Sequence, residues 1–352
     1  MERRTILTAG GALLGTALAG CLDLSSNDER EQPDVLDDRS TAVYIPTHID
    51  EMKMVGTASA GQYRFALSYS RPHRFWLVTG DRRRQVEVTD EDAIHLMLTA
   101  WEESTGTVVP TSNAVISITR DGETVVSDTA LWPMLSQNMG VHFGDNLSLD
   151  GDGTYEVAVD FGPVETRLSG KLAGRLSEQA SVSFDLEYSG STVEDLSFDD
   201  MGYRAGEPDA VDPMAMDTVP SGQALPAAEL PGTLLGEATS NDGVLAAVSL
   251  PVPEGVDGDG RYLAVSVRTP YNRYPLPFMS LSASVTRDGS TVFEGDLTGT
   301  LHEDLAYHYG AVVESLQSGD QISIAIGAPP QIARHEGYET AFLDMDAVEL
   351  TV

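Results

Sequence analysis

The stretch Leu131–Pro163, LWPMLSQNMGVHFGDNLSLDGDGTYEVAVDFGP, indicates the fold of this chain most clearly. Turn glycines precede its last part, Tyr155–Phe161, which has the apolar alternation of a strand with one buried face. We predict that Met134, Met139 and His142, which come before the glycines, lie on a loop that leads into this strand.

A weaker copy of this stretch, with His308 in the equivalent place, lies near the end of the chain. From His142 and from His308 a glycine follows at +11 and a proline at +21. Upstream, ITRDGETV at 118–125 matches VTRDGSTV at 285–292, and each predicts two strands joined by an Asp-Gly turn. Counting back 24 residues from Thr119 and from Thr286, the first threonine of each segment, reaches His95 and Tyr262. We interpret the agreement as an internal duplication.

Both copies contain short strands with closely spaced turn signals and lack the alternation of strands and helices that parallel sheets require. The sequence therefore predicts an all-β protein with two antiparallel β-sandwich domains in tandem. We place the first domain at residues 43–190 and the second at 232–352. Residues 191–231, rich in Asp, Pro, Gly and Ala, are predicted to be a linker.

The first residues are typical of an export signal. Arg3-Arg4 and an apolar run predict a twin-arginine signal peptide over residues 1–20, followed by the lipoprotein-like box Leu18–Cys21. The alternative, an uncleaved anchor, is disfavoured because a span needs ~20 apolar residues. Cys21, the only cysteine, is the predicted lipid-attachment site, and the acidic residues 21–42 are a predicted extended tether. We therefore expect an extracytoplasmic protein that a lipid anchors to the cell membrane.

The charge of the chain restricts its partners. There are 55 acidic and 21 basic side chains, which gives a net charge of −34. The carboxylates are spread over both halves and almost all bases are arginine, a composition typical of a halophile surface that stays solvated in very high salt. Nucleic acid is excluded as a partner because the only basic cluster is Arg82–Arg84.

Catalytic motifs are missing from the sequence. It contains no HExxH, CxxC or GxSxG motif and no phosphate-binding glycine loop. No nucleophile has a base at an interpretable spacing. We therefore predict that the chain is not an enzyme.

Groups that can bind metals concentrate in three places: around Met52 at the start of the first domain, along Met134–His142, and at Arg334-His335-Glu336. Soft thioethers, borderline imidazoles and hard carboxylates together suit copper or ferrous iron better than calcium or magnesium. Ordinary packing is the alternative for the methionines, and His142 could cap a turn. We interpret His73, His95 and His302 as ordinary surface or strand residues.

The segment WPMLSQNMGVHFGDNLSL followed by GTYEVAVDFGP resembles the motif of the small periplasmic high-affinity iron-transport proteins. In that family a Met-containing loop leads into a His-Tyr-Gly-x-Asn segment, a glycine turn and a strand. Val43–Met52 is similar to the family's first strand, and Arg334-His335-Glu336 is similar to its late Arg-His segment.

The resemblance implies an immunoglobulin-like sandwich, often dimeric, with an iron or copper site made of glutamate, methionine and two histidines. The residues matching these ligands are Glu51, Met134 and His142 in the first copy, and His308 and His335 in the second. Met52 and Met139, which belong to the first two of the three metal-capable stretches, are candidate ligands as well. The implied function is capture of iron or copper and its delivery to a membrane iron permease.

Neither copy matches the whole ligand set. The first copy lacks the late histidine, and the second lacks a counterpart of Glu51 and Met52. One interpretation is that the two domains pair within the chain as the family dimer does, with complementary partial sites; a homodimer is another. A further alternative is that the second copy has lost its site and serves as a spacer. The competing function is a cell-surface structural or interaction module without metal.

Overall fold

The computed structural model describes residues 33–352. The predicted signal peptide, Cys21 and the first part of the predicted tether lie outside the described residues. From Pro33 onward the chain forms one compact unit of strands and loops, so the all-β prediction is confirmed. Within the described part of the chain, no helix is long and apolar enough to cross a membrane.

From residue 33 onward, the first half contains fourteen strands and one short α-helix. They are β1 His48–Asp50, β2 Met52–Ala60, β3 Tyr63–Ser70, β4 Phe75–Thr79, β5 Arg82–Val86, β6 Ile94–Glu102, β7 Ala114–Arg120, β8 Glu123–Ala130, β9 Trp132–Ser136, β10 Gly140–Leu147, β11 Gly153–Phe161, β12 Arg167–Leu168, β13 Ala180–Tyr188, α1 Gly190–Asp195 and β14 Phe198–Asp200. The second half contains β15 Thr233–Ser240, β16 Gly243–Pro251, β17 Arg261–Arg268, β18 Ser280–Arg287, β19 Ser290–His302, β20 Ala306–Val313, β21 Gln321–Ala328, β22 Ala333–Arg334 and β23 Val348–Thr351. Three 3-10 turns, Gly170–Leu172, Gly202–Arg204 and Ala227–Glu229, complete the elements.

Two layers, antiparallel except where β22 of the second half pairs with β9, make up most of the first half. One sheet has the order β2-β3-β6-β10-β9-β22-β4-β5, and the other has the order β13-β11-β7-β8. Aromatic side chains join the layers: the rings of Phe65 and Phe143 each meet Phe161 edge to face, with centroids 5.4 Å apart. Burial of such rings contributes about 1.5–3 kcal/mol each and fixes the layers against each other.

In the second half, the long strand β19 pairs with two different strands along its length. The first part of β19 pairs with β18, and its last part, Thr298–His302, pairs with β20. The resulting sheet has the order β15-β16-β17-β20-β19-β18-β21-β23. Val265 of β17 and Val285 of β18 are both fully buried in the same core.

The predicted Asp-Gly hairpins are both present. Asp121 and Gly122 have φ values of 52° and 82°, and Asp288 and Gly289 have values of 49° and 78°. Two consecutive positive φ values define the turn whose twist matches that of the flanking strands. The turns join β7 to β8 and β18 to β19, as the sequence predicts.

The two halves exchange short strands. From the second half, β22 lies between β9 and β4 of the first, parallel to β9 and antiparallel to β4. From the first half, β12 runs parallel to β19 of the second. This exchange brings His335, the residue after β22, into the first half.

The segment predicted to be a linker is ordered and packs between the halves. Its strand β14 pairs with β1. The N–H of Val211 donates to Oε1 of Gln137 at 2.9 Å, and Nδ2 of Asn272 donates to the carbonyls of Gln137 (2.9 Å) and Val211 (3.0 Å). The end of the predicted tether also contacts this body, because Nε of Arg39 lies 3.2 Å from a Glu339 oxygen.

Candidate metal centre

The β9–β10 hairpin holds the central residues of the quoted stretch. Met134 on β9 lies directly across from His142 on β10, and both side chains are buried. Of the three residues predicted to lie on a loop, only Met139 does so, in the turn between these strands. The strands form because Gly140, with φ 70°, closes a tight turn.

His95 enters the same site from the neighbouring strand β6. It lies across from Asn146 of β10, and its Nδ1–H donates to Oδ1 of Asn146 at 2.8 Å. The amide nitrogen of Asn146 donates to the carbonyl of His73 at 2.9 Å, which fixes the orientation of the amide. The lone pair of His95 therefore resides on Nε2.

His73 and His335 complete a cluster of imidazoles. Nε2 of His73 lies 3.1 Å from Nδ1 of His335. Ring centroids are 4.0 Å apart for His73 and His95, 4.8 Å for His73 and His335, and 5.2 Å for His142 and His335. One ligand atom each from His73, His95 and His335 lies within 4.8 Å of the others.

The cluster contains polar atoms with no hydrogen-bond partner. Nε2 of His95, His142 and His335 are each buried and unpaired. Nδ1–H of His142 donates to the carbonyl of Gly140 at 3.1 Å, so its Nε2 also carries a lone pair. Buried polar atoms are almost always paired, and a histidine whose other nitrogen donates to a fixed acceptor is in the form that binds metals.

Gly144 provides the space between His95 and Met134. A Cβ built on this residue would lie 3.0 Å from Nε2 of His95 and 3.3 Å from Sδ of Met134. Because glycine has no side chain, the imidazole and the thioether can both face this space. The donor set and the cradle therefore fit a transition-metal ion.

Burial keeps the imidazoles neutral. It lowers the pKa of His73 to about 3, helped by the nearby His48 and His142, and lowers the pKa of His142 to about 4. The pKa values of His95 and His335 are also well below the ordinary value, because of burial first and the neighbouring imidazoles second. Neutral imidazole is the form that binds metal ions.

The carboxylate beside the cluster belongs to Asp50. Its Oδ2 lies 3.4 Å from Nδ1 of His73 and 3.6 Å from Nε2 of His48. Glu51 is exposed instead, and its carboxylate accepts hydrogen bonds from N (2.9 Å) and Oγ (2.7 Å) of Ser197, which lower its pKa. The structure therefore does not bring Glu51 to the imidazoles.

A cleft leads from solvent to His73 and His335. It has a volume of about 70 Å³, and three thioethers line it, those of Met52, Met97 and Met139. Met52 and Met139, which the sequence analysis proposed as ligands, thus lie along the approach to the imidazoles. A soft ion could contact them on entry.

His308 lies in the second half, on β20. Its Nδ1–H donates to the carbonyl of Ala306, and its Nε2 accepts from the hydroxyl of Tyr262, both at 3.1 Å. The structure therefore groups His308 with Tyr262 rather than with the four clustered imidazoles.

We expect His308 to make the metal-free protein sensitive to acid. Burial lowers its pKa to about 3, so below pH 6.5 the unfolded chain takes up a proton that the folded chain does not. This contribution to stability is present above pH 6.5 and is lost as the pH falls towards 3. The free energy of unfolding should drop by about 1.5 kcal/mol from this group between pH 6.5 and 5. Urea unfolding of wild type and His308→Gln at both pH values, with chelator, should show a smaller drop in the variant; equal drops would contradict the prediction.

Two members of the cluster were interpreted from sequence as ordinary residues, His73 and His95. The only signal for His95 was its position as a landmark of the repeat, opposite Tyr262 of the second copy. For His73 there was none, because its place depends on which strands pair.

Comparison with known proteins separates the two halves. Residues 48–190 match the family described as Fe2+ transport protein, and residues 228–351 match a domain of unknown function, DUF7350. No curated protein matches the sequence.

Among solved structures, the chain is similar to FetP of uropathogenic Escherichia coli strain F11 as isolated, with 15% identity and a TM-score of 0.30 over 40% of this chain and 97% of that one. A copper-bound variant of FetP gives 16% identity and a TM-score of 0.30 over 39% and 97%. The resemblance indicated by the Leu131–Pro163 motif is confirmed for residues 48–190, which match the Fe2+ transport protein family.

Proposed function

We propose that this protein binds one iron or copper ion at the imidazole cluster of the first half and carries it for uptake. The observation on which the proposal depends is the set of buried, unpaired Nε2 atoms on His95, His142 and His335 beside the thioether of Met134. Leaving several buried acceptors unpaired costs about 1–3 kcal/mol each unless a ligand satisfies them.

The donor chemistry favours a transition metal. Imidazole nitrogen and thioether sulfur suit copper and ferrous iron, whereas calcium and magnesium require oxygen ligands. The match of residues 48–190 to Fe2+ transport proteins agrees with this donor set. His95, His142, His335 and Met134 would hold the ion, with His73 as a further donor.

The surrounding residues orient the ligands and allow exchange. Asp50 and Asn146 contact Nδ1 of His73 and His95, which leaves the lone pair of each ring on Nε2. Such outer partners typically change metal affinity 10–100-fold when removed. The methionine-lined cleft gives the ion a path to solvent. Binding and release require no covalent step, so we propose a carrier and not an enzyme.

Delivery to a membrane iron permease completes the proposal. An export signal at residues 1–20 and lipid attachment at Cys21 would hold the carrier at the outer face of the cell membrane. The net charge of −34 favours the approach of cations, although high salt screens it. Cys21→Ala should move the protein from the membrane fraction to the soluble exported fraction. Retention in the membrane would contradict lipid anchoring through Cys21.

The central test is a calorimetric titration of purified protein with copper(II), and anaerobically with iron(II), in high salt. We expect one ion per chain for wild type and none for His142→Ala. Circular dichroism of the variant checks that it is folded. Absence of stoichiometric binding to wild type would contradict the proposal and leave the cell-surface module.

Gly144→Ala should weaken binding while changing only one methyl group. The new Cβ would lie 2.9 Å from the carbonyl of Leu96 and would also enter the space between His95 and Met134. We expect the dissociation constant to rise about 10-fold or more, because ligand geometry tolerates little displacement. Gly122→Ala, in the open turn between β7 and β8, is a control for general loss of stability. Unchanged affinity in Gly144→Ala would argue against an ion at this place.

A further inference from the structure

The second half of the chain repeats the backbone of the metal cluster. His142 lies across from Met134 in the first half, and His308 lies across from Thr300 in the second. Each histidine donates from Nδ1 to the carbonyl two residues before it, at 3.1 Å in both cases. His308 therefore occupies the position of His142.

The exchanged strands are equivalent as well. Ala333 lies beside Met134, and Arg167 lies beside Thr300, both in parallel pairing. His335 comes two residues after Ala333, and its N–H donates to the carbonyl of Leu135 at 3.0 Å. Ser169 comes two residues after Arg167, and its N–H donates to the carbonyl of Leu301 at the same distance. Ser169 therefore occupies the position of His335.

Most donors of the first cluster are replaced in the second half. Tyr262 pairs with Leu250 near the end of β16, just as His95 pairs with Ser70 at the end of β3. The replacements are Tyr262 for His95, Thr300 for Met134 and Ser169 for His335. Only His308 keeps an imidazole.

The guanidinium of Arg167 occupies the space between these residues. Its Nε donates to Oγ1 of Thr300 at 2.9 Å. One terminal nitrogen donates to the hydroxyl of Tyr262 at 2.9 Å and to the carbonyl of Gly310 at 2.8 Å, and the group lies 5.6 Å from the centroid of the Tyr262 ring. Nε2 of His308 accepts from Tyr262, so it is not left unpaired as Nε2 of His142 is.

We propose that Arg167 is a permanent cation in the place where the second half would otherwise bind a metal, so that the chain takes up one ion only. A guanidinium stays protonated in proteins and cannot act as a ligand. A metal ion would have to displace its hydrogen bonds and would be repelled by its charge. At the positions equivalent to the first cluster it would find one imidazole, that of His308, and the ring centroid of His302 lies 6.4 Å from that ring. The same contacts fasten β12 to β19. The inference rests on the proposed function for the nature of the ion.

Stoichiometry tests the inference, because His308→Ala leaves the first cluster unchanged and His142→Ala removes one of its imidazoles. Copper(II) is titrated into wild type, His308→Ala and His142→Ala, and bound copper is also measured after desalting. We expect one ion for wild type, one for His308→Ala with a dissociation constant within about twofold, and none for His142→Ala. Two ions on wild type, or a loss of binding in His308→Ala, would overturn this inference alone. No ion on wild type would overturn the proposed function and this inference with it.

A matched pair of variants isolates the charge of Arg167. The first carries Tyr262→His, Thr300→Met and Ser169→His, and the second carries these and Arg167→Ala. We expect one ion per chain for the first and two for the second, with near-ultraviolet circular dichroism confirming that both are folded. Equal stoichiometry in the two folded variants would overturn the role given to Arg167. If either variant fails to fold, the His308→Ala comparison still decides whether the chain takes up one ion only.

Discussion

His95→Ala should weaken metal binding more than about 100-fold, because it removes a ligand nitrogen, whereas loss of an outer partner alone costs 10–100-fold. Its Nε2 is buried, unpaired and faces the space above Gly144 with the sulfur of Met134. Glu51→Ala should leave the dissociation constant within about twofold, since its carboxylate is exposed and bonded to Ser197. These expectations reverse the roles that sequence analysis gave to the two residues.

The two variants are measured by the same calorimetric titration as wild type. Asp50→Asn is a useful third variant, because it keeps the shape of the side chain beside His73 while removing its charge, and we expect an intermediate loss of about 10-fold. Equal affinity of His95→Ala and wild type would contradict the cluster as the binding site. A large loss in Glu51→Ala would restore the ligand set that the family resemblance implied.

Local patterns in the sequence were sufficient for much of the fold. The Asp-Gly dipeptides predicted both hairpins because their turn needs consecutive positive φ values, which Asp and Gly tolerate. The quoted stretch predicted the strand that became β11, and its motif singled out Met134 and His142. Each of these signals lies within a few residues of the element it predicts.

The rest of the cluster depends on pairing between distant residues. His95 meets β10 through strand register, and adjacent residues of a strand face opposite sides. The carboxylates of two consecutive residues also separate: Asp50, at the end of β1, faces His73, whereas Glu51, between β1 and β2, faces Ser197. The family resemblance indicated Glu51 as the ligand, one position after Asp50, and this difference of one residue places the carboxylate on the side of the chain away from the imidazoles.

The exchange of β22 into the first half could not be predicted from the sequence either. The two residues of β22 are too few for any periodic pattern, yet they place His335 beside His142. The first copy lacks a late histidine, and the structure places His335 of the second half beside its His142. The segment predicted as a linker packs between the halves because Gln137 and Asn272 hold its backbone, a contact that composition cannot reveal.

Arg334→Met should cause the largest loss of stability among the variants considered. The guanidinium is fully buried and donates to the carbonyls of Pro330 (3.0 Å), Tyr338 (3.5 Å) and Ala341. Burial lowers its pKa to about 9, so it remains charged at neutral pH. Methionine fills similar volume but leaves these acceptors unpaired, at a cost of about 3 kcal/mol or more.

The same substitution should also weaken metal binding, because the loop that Arg334 closes carries β22 and fixes His335 beside His73. Urea unfolding with chelator measures the stability, and a copper titration below the unfolding range measures the affinity. Arg82→Met, at an exposed arginine of β5, is the matched control and should change the free energy of unfolding by no more than about 0.5 kcal/mol. A folded Arg334→Met protein with wild-type affinity for copper would show that the pairing of β22 alone positions His335. Loss of both stability and copper affinity would show that the buried guanidinium of Arg334 is needed to position His335 for metal binding.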